Sequence, residues 1–188
     1  SSTIETLYSS VDADIEIVAT RGQTFEQDVI NLSEISQTEG VVNIAPYLEQ
    51  SVVAATAQHR TTLKLRGIDS LYHSVLPIEE FATRGTTYNL SHNKVVLGIG
   101  AAQKLRAQSI GQNIELYALN RRQLSTLLPT SGFSHRSTEV GGIVMVNAEI
   151  DETIALADLR LTQELLNYPN KISGIAIKLS NKANIGEI

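Results

Sequence analysis

The chain has 188 residues, 42% of them hydrophobic, a formal net charge of -5, and no cysteine. That length and apolar content suffice for one good core or two small ones closely joined, and the missing cysteines exclude disulfides and thiolate metal sites. The acidic balance, with Arg121-Arg122 as the one adjacent basic pair, excludes a nucleic-acid face, and no apolar run approaches the ~20 residues that cross a bilayer.

Residues 14–19, "DIEIVA", alternate acidic and apolar and predict a half-buried strand, with Arg21-Gly22-Gln23 as the turn after it. A helix is expected over residues 26–38, with Val29, Ile30, Leu32 and Ile35 on one side and Gly40 ending it. "VVNIAPYLEQSVVAA" reads as a long strand in which Pro46 marks an edge or bulge. "QHRTTLKLRGID" alternates again, with Leu63 and Leu65 facing one way. The first third therefore reads β-α-β-β.

The middle is less regular. A short helical turn is expected at "IEEFA", followed by the polar loop "TRGTTYNLSHN". "VVLGIGAAQKLRAQ" then predicts a strand entering a helix through Gly98 and Gly100, with Gly111 as the stop and "NIELYAL" as the next strand. Residues 120–138 show neither period and are expected as a long hairpin loop or protrusion. In the last third, "EVGGIVMV" is a buried strand. Asp151 is expected to cap a helix with Ile154, Ala157, Leu161 and Leu165 on one stripe, and "KISGIAIKLS" is the final strand. The expected fold class is α+β, with β-α-β units from the chain ends flanking an insert.

The strand–glycine–helix stretch invites comparison with a dinucleotide-binding loop. That fingerprint needs a third small residue where Gln103 stands, and an acid about 20 residues on to hold ribose. Glu115 comes early, and no Asp occurs between Asp69 and Asp151. Gly98 and Gly100 are therefore expected to form a tight turn, with Ala101, Ala102 and Leu105 on a buried helix face. His59, His73, His92 and His135 lie too far apart to pair as metal ligands. Ser134-His135 and Glu79-Glu80 are only sequence neighbours, which gives neither triad nor acid–base geometry. No catalytic residue, metal or cofactor is expected. The protrusion remains: Leu124, Leu127, Leu128 and Phe133 form an apolar tip above Arg121, Arg122 and Arg136, the composition of a binding element or of a loop folded back on the body.

Four stretches in order, "VDADIEIVATRGQTF", "LRGID", "VVLGIGAAQKLRAQSIGQNIELYA" and "EVGGIVMVNAEID", resemble the periplasmic core domain of MacB/LolC/LolE-type ABC transporter permeases, and among these the lipoprotein-releasing systems. The resemblance covers nearly the whole chain; Gly111-Gln112-Asn113-Ile114 matches a family turn in which Gln112 replaces the usual acid. It implies a Porter-like, membrane-proximal sub-domain built from residues 1–68 and 119–188, and a smaller mixed Sabre-like insert over 69–118. Residues 1–10 would continue from a first membrane helix and residues 185–188 lead toward a second, in an inner-membrane protein whose domain here is periplasmic.

The resemblance further implies a non-catalytic domain that relays movement from ATP hydrolysed by a cytosolic subunit, beside a second permease protomer, with lipoproteins as cargo. In lipoprotein-releasing members a hook engages a periplasmic lipoprotein carrier. Residues 119–138 fall where that hook would lie, with Pro129 near its middle and His135 and Arg136 at its polar-basic base. The implied partner-binding set is Arg121, Arg122, Leu124, Leu127, Leu128, Pro129, Phe133, His135 and Arg136, although the loop sequence itself departs from the family's. The alternatives are an efflux or mechanotransmission permease domain of MacB type without carrier binding and, from a different class, a nucleotide-binding enzyme.

Overall fold

The computed structural model describes residues 2–6, 14–19, 24–83, 87–119 and 133–180. In chain order its elements are β1 (Ser2–Thr6), β2 (Ile15–Ala19), β3 (Phe25–Glu26), α1 (Leu32–Gln37), β4 (Val41–Ala55), β5 (Arg60–Ile68), α2 (Tyr72–Val75), β6 (Lys94–Gly98), α3 (Ile99–Leu105), β7 (Asn113–Leu119), β8 (Phe133–Val144), α4 (Ala148–Asp151), β9 (Ile154–Asp158), α5 (Leu159–Leu166), β10 (Lys171–Ile172) and β11 (Gly174–Leu179). The expected α+β class holds, with mixed strand pairing and short helices. No helix among the described residues is long and apolar enough to cross a membrane.

The chain forms two compact units, one of Ser1–Leu48, Ile68–Pro77 and Asn170–Ile188, the other of Glu49–Gly67 and Ile78–Pro169. These bounds differ from those expected at 68/69 and 118/119. The long strands β4 and β5 each begin in one unit and end in the other.

In the first unit the order is β1-β2-β11-β4, each neighbouring pair antiparallel. A second antiparallel pair joins β3 to β10. The alternation of "DIEIVA" and "GIAIKL" puts Ile15, Ile175 and Ile177 into one core with Ile172, against which Phe25, Ile30, Leu32 and Ile35 pack. The helix expected over 26–38 is shorter. Residues Gln27–Val29 form one 3₁₀ turn, Ile30 is extended, and the helix starts only at Leu32. The cause is Asn31, whose side-chain oxygen accepts from Glu34 N–H at 3.1 Å and makes it an N-cap rather than a mid-helix residue. Val29, expected on the apolar side, is 75% exposed. The helix ends at Thr38, and Gly40, at φ 89°, makes the turn into β4.

In the second unit β4-β5-β9-β6-β8-β7 follow one another, and β7 pairs back onto β4 through Val53–Tyr117, Ala54–Leu116 and Ala55–Glu115. The six strands therefore close on themselves, which leaves no open edge in this ring. β6 and β8 run parallel, with a bulge opposite Val95 and Val96. Leu63, Leu65, Val95, Val96, Leu97, Ile114, Leu116 and Val140 are fully buried.

Four expectations are corrected here. Residues 151–167 are not one helix: Ile154–Asp158 is β9, paired antiparallel with β6 through Val96–Leu156 and Leu97–Ala155. Its run of four apolar residues imitates one helical stripe with Leu161 and Leu165, but α5 starts after Asp158, whose side chain accepts from Leu161 N–H at 3.4 Å. Asp151 is the last residue of α4, which Asn147 caps, and the helix carrying Leu161 and Leu165 is capped by Asp158. Helix α3 stops at Arg106, in the left-handed region at φ 51°, five residues before Gly111. Lastly, residues 133–138 are not loop but the first half of β8.

Candidate partner-binding hairpin

Strand β7 alternates as its sequence suggests: Ile114, Leu116 and Ala118 are buried, while Glu115 and Tyr117 turn outward. Strand β8 pairs with it from Asn113–Glu139 to Leu119–Phe133. Period 2 then puts His135 and Ser137 on the outward face, with Ser134, Arg136 and Thr138 behind. Buried Thr138 donates its hydroxyl to Ile114 O at 2.7 Å, which ties the ladder from the inside.

The outward face carries a connected polar cluster. Asn113 Nδ2 donates to Ser137 Oγ at 2.8 Å, and Ser137 Oγ donates to Glu115 Oε1 at 2.9 Å. The other oxygen of Glu115 meets His135 Nε2, and the His135 ring stacks on Tyr117 with centroids 4.8 Å apart. Partial desolvation alone would raise the Glu115 pKa. Hydrogen bonds from His135, Ser137 and Asn113, with the charge His135 can carry, outweigh it and hold the carboxyl below its usual range. One row further along, Lys94 Nζ reaches Glu139 at 2.5 Å. On the opposite face Arg136 Nη2 donates to Glu164 Oε2 of α5 at 2.5 Å, and Arg160 approaches the other oxygen at 3.6 Å.

Of the residues expected to bind a partner, Arg121, Arg122, Leu124, Leu127, Leu128 and Pro129 lie outside the described residues. Phe133 is described as a strand position opposite Leu119. His135 and Arg136, expected as one base, are separated onto opposite faces because neighbouring strand residues alternate. Glu115, Tyr117 and Ser137 join His135 instead. The alternation of "NIELYAL" puts Glu115 and Tyr117 on a common face, but only the β7–β8 register, invisible in sequence, brings His135 and Ser137 to them.

The glycine turn is built for packing. A Cβ on Gly98 would lie 2.4 Å from Asp151 O and 2.7 Å from Asp151 Cα, and one on Gly100 3.0 Å from Glu152 Cα. Backbone of α4 therefore fills the space before both glycines, and Ala101, Ala102 and Leu105 are fully buried as expected. Asp151 is itself buried, with both oxygens on Val146 N–H at 2.9 and 3.1 Å, and desolvation raises its pKa against those hydrogen bonds. No group of three or more His, Cys, Asp or Glu side chains able to hold a metal occurs among the described residues.

No protein-family model matches the chain. Its fold is that of extracytoplasmic domains of ABC-type transporters. The chain is similar to the extracellular domain of the noncanonic ABC-type transporter YknZ from Gram-positive bacteria, at TM-score 0.59 and 14% identity, over 86% of this chain and 76% of that one. It is also similar to the periplasmic region of MacB from Actinobacillus actinomycetemcomitans, at TM-score 0.54 and 16% identity, over 82% of this chain and 65% of that one. At such identities the likeness is one of fold.

Proposed function

We propose that this chain is the extracytoplasmic domain of a MacB-like ABC-transporter permease, working beside a cytosolic ATP-binding subunit and a second permease protomer. The observation that carries this reading is the fold likeness to the YknZ domain over 86% of the chain. The domain has no chemistry of its own in this reading. It takes up alternative conformations driven by ATP hydrolysis elsewhere and binds partners differently in each.

The finer reading is a lipoprotein-releasing permease in which the β7–β8 hairpin docks a periplasmic lipoprotein carrier through residues 119–138. What supports it is the stem. Thr138, the Glu115 cluster and the Arg136–Glu164 pair brace both faces of the ladder that leads to residues 119–138. A second reading, an efflux or mechanotransmission permease without a carrier, is favoured by the two fold neighbours being YknZ and MacB. Pull-down of a purified periplasmic lipoprotein carrier separates the two. Binding by the native chain, lost in Arg121→Glu/Arg122→Glu, supports docking; no binding by the native chain leaves the second reading.

A further inference from the structure

The outward face of the hairpin stem holds an ion pair that exists only while one proton is in place. His135 Nε2 lies against Glu115 Oε2, and the stacked rings of Tyr117 and His135 are inclined by 28°. Ser137, itself held by Asn113, fixes the other oxygen of Glu115. Since Glu115 is held below the usual carboxylate range, it stays anionic wherever histidine side chains exchange their proton. The variable in this cluster is therefore the proton on His135.

Charged side chains on the neighbouring elements are paired away from this cluster. From β7 the titratable neighbours are Glu115 and Tyr117. β4 offers Val53 and Ala55 in register with them, neither of them charged. Along β8, Glu139 is neutralised by Lys94 of β6. Arg136 turns to the other face, where Glu164 of α5 pairs with it and also with Arg160. The cluster sits at the Tyr117–His135 rung, one rung of the same face before the Leu119–Phe133 pair that ends the described ladder.

We propose that Glu115, His135 and Tyr117 form a proton-dependent clasp on the β7–β8 stem. With His135 protonated, an ion pair spans the two strands and holds the end of the ladder shut; with His135 neutral, one hydrogen bond remains and the end opens more readily. This inference does not rest on carrier docking and would hold in either reading of the function.

The test is amide hydrogen exchange on the whole chain, followed by NMR at about pH 5.5 and about pH 8, which bracket histidine titration. Rates are corrected for their intrinsic pH dependence. Amides of residues 116–118 and 134–136 should lose protection by about two- to five-fold at the higher pH, the scale of an exposed pair. Amides of Val96 and Leu156, in the β6–β9 pairing, serve as the reference and should not change. Glu115→Gln and His135→Gln, both at surface positions, should each abolish the difference. A stem that follows the reference amides, or a pH response that survives in Glu115→Gln, overturns the proposal.

Discussion

Two regions of the second unit handle close approach in opposite ways. At the β6–α3 turn, Gly98 and Gly100 remove side chains so that the backbone of Asp151 and Glu152 can press against them. On the β7–β8 stem, side chains are kept, turned outward and bonded to one another. The first region stores its stability in fit that no solvent shares; the second spends polar groups on an exposed surface where each pair contributes little. A glycine pair after a strand is thus a statement about what lies in front of it. Here that is another segment of the same chain.

The largest effect that could break this contrast comes from Gly98→Ala. The new Cβ would meet backbone, which cannot swing aside, so a loss of about 3 kcal/mol in urea unfolding is expected. Gly100→Ala, whose contacts are looser at 3.0 and 3.1 Å, should cost about 1 kcal/mol. Equal and negligible losses at both positions would contradict packing as the role of the pair.

Next comes Asp151→Ala, which strips the acceptors from Val146 N–H inside a buried corner and should cost about 1–3 kcal/mol. The pH dependence sharpens the comparison, because the two carboxyls have opposite signs. The Asp151 pKa is raised in the fold, so its contribution is complete below its ordinary value of 3.8 and is lost as pH rises through the higher folded value. The Glu115 pKa is lowered, so its contribution is present above 4.5 and is lost as pH falls through the folded value. Unfolding curves collected from acid to neutral pH should therefore change slope in opposite directions in Asp151→Asn and Glu115→Gln.

The smallest expected effect is Arg136→Ala. It frees a half-exposed Glu164 that keeps Arg160 nearby, and thermal unfolding should report a loss of about 0.5 kcal/mol.

Much of this architecture could be read before any coordinates. β4 runs from Val41 to Ala55, the whole stretch its β-branched composition marked, and Leu63 and Leu65 face inward as their alternation required. The turn at Gly98 and Gly100 was legible because Gln103 and the missing ribose acid argued against a phosphate loop on chemical grounds. What escaped had identifiable causes. Residues 154–157, "IALA", fit a helical stripe and a buried strand equally well, and only pairing with β6 decides between them. Residues 133–138 carry no apolar alternation, since the inward positions are Ser134, Arg136 and Thr138, so their strand is specified by its partner. The same holds for the polar cluster: Glu115 and His135 are 20 residues apart and meet only across that register.

The central claim, an extracytoplasmic domain of a membrane-embedded permease, is tested most directly on the full-length protein in its native cell. The account predicts that an antibody to this chain finds it in the membrane fraction, and that protease reaching the extracytoplasmic side cleaves it while the cytoplasmic membrane is still sealed. Recovery in the soluble cytosolic fraction, or protection until the cytosolic side is exposed, would contradict it.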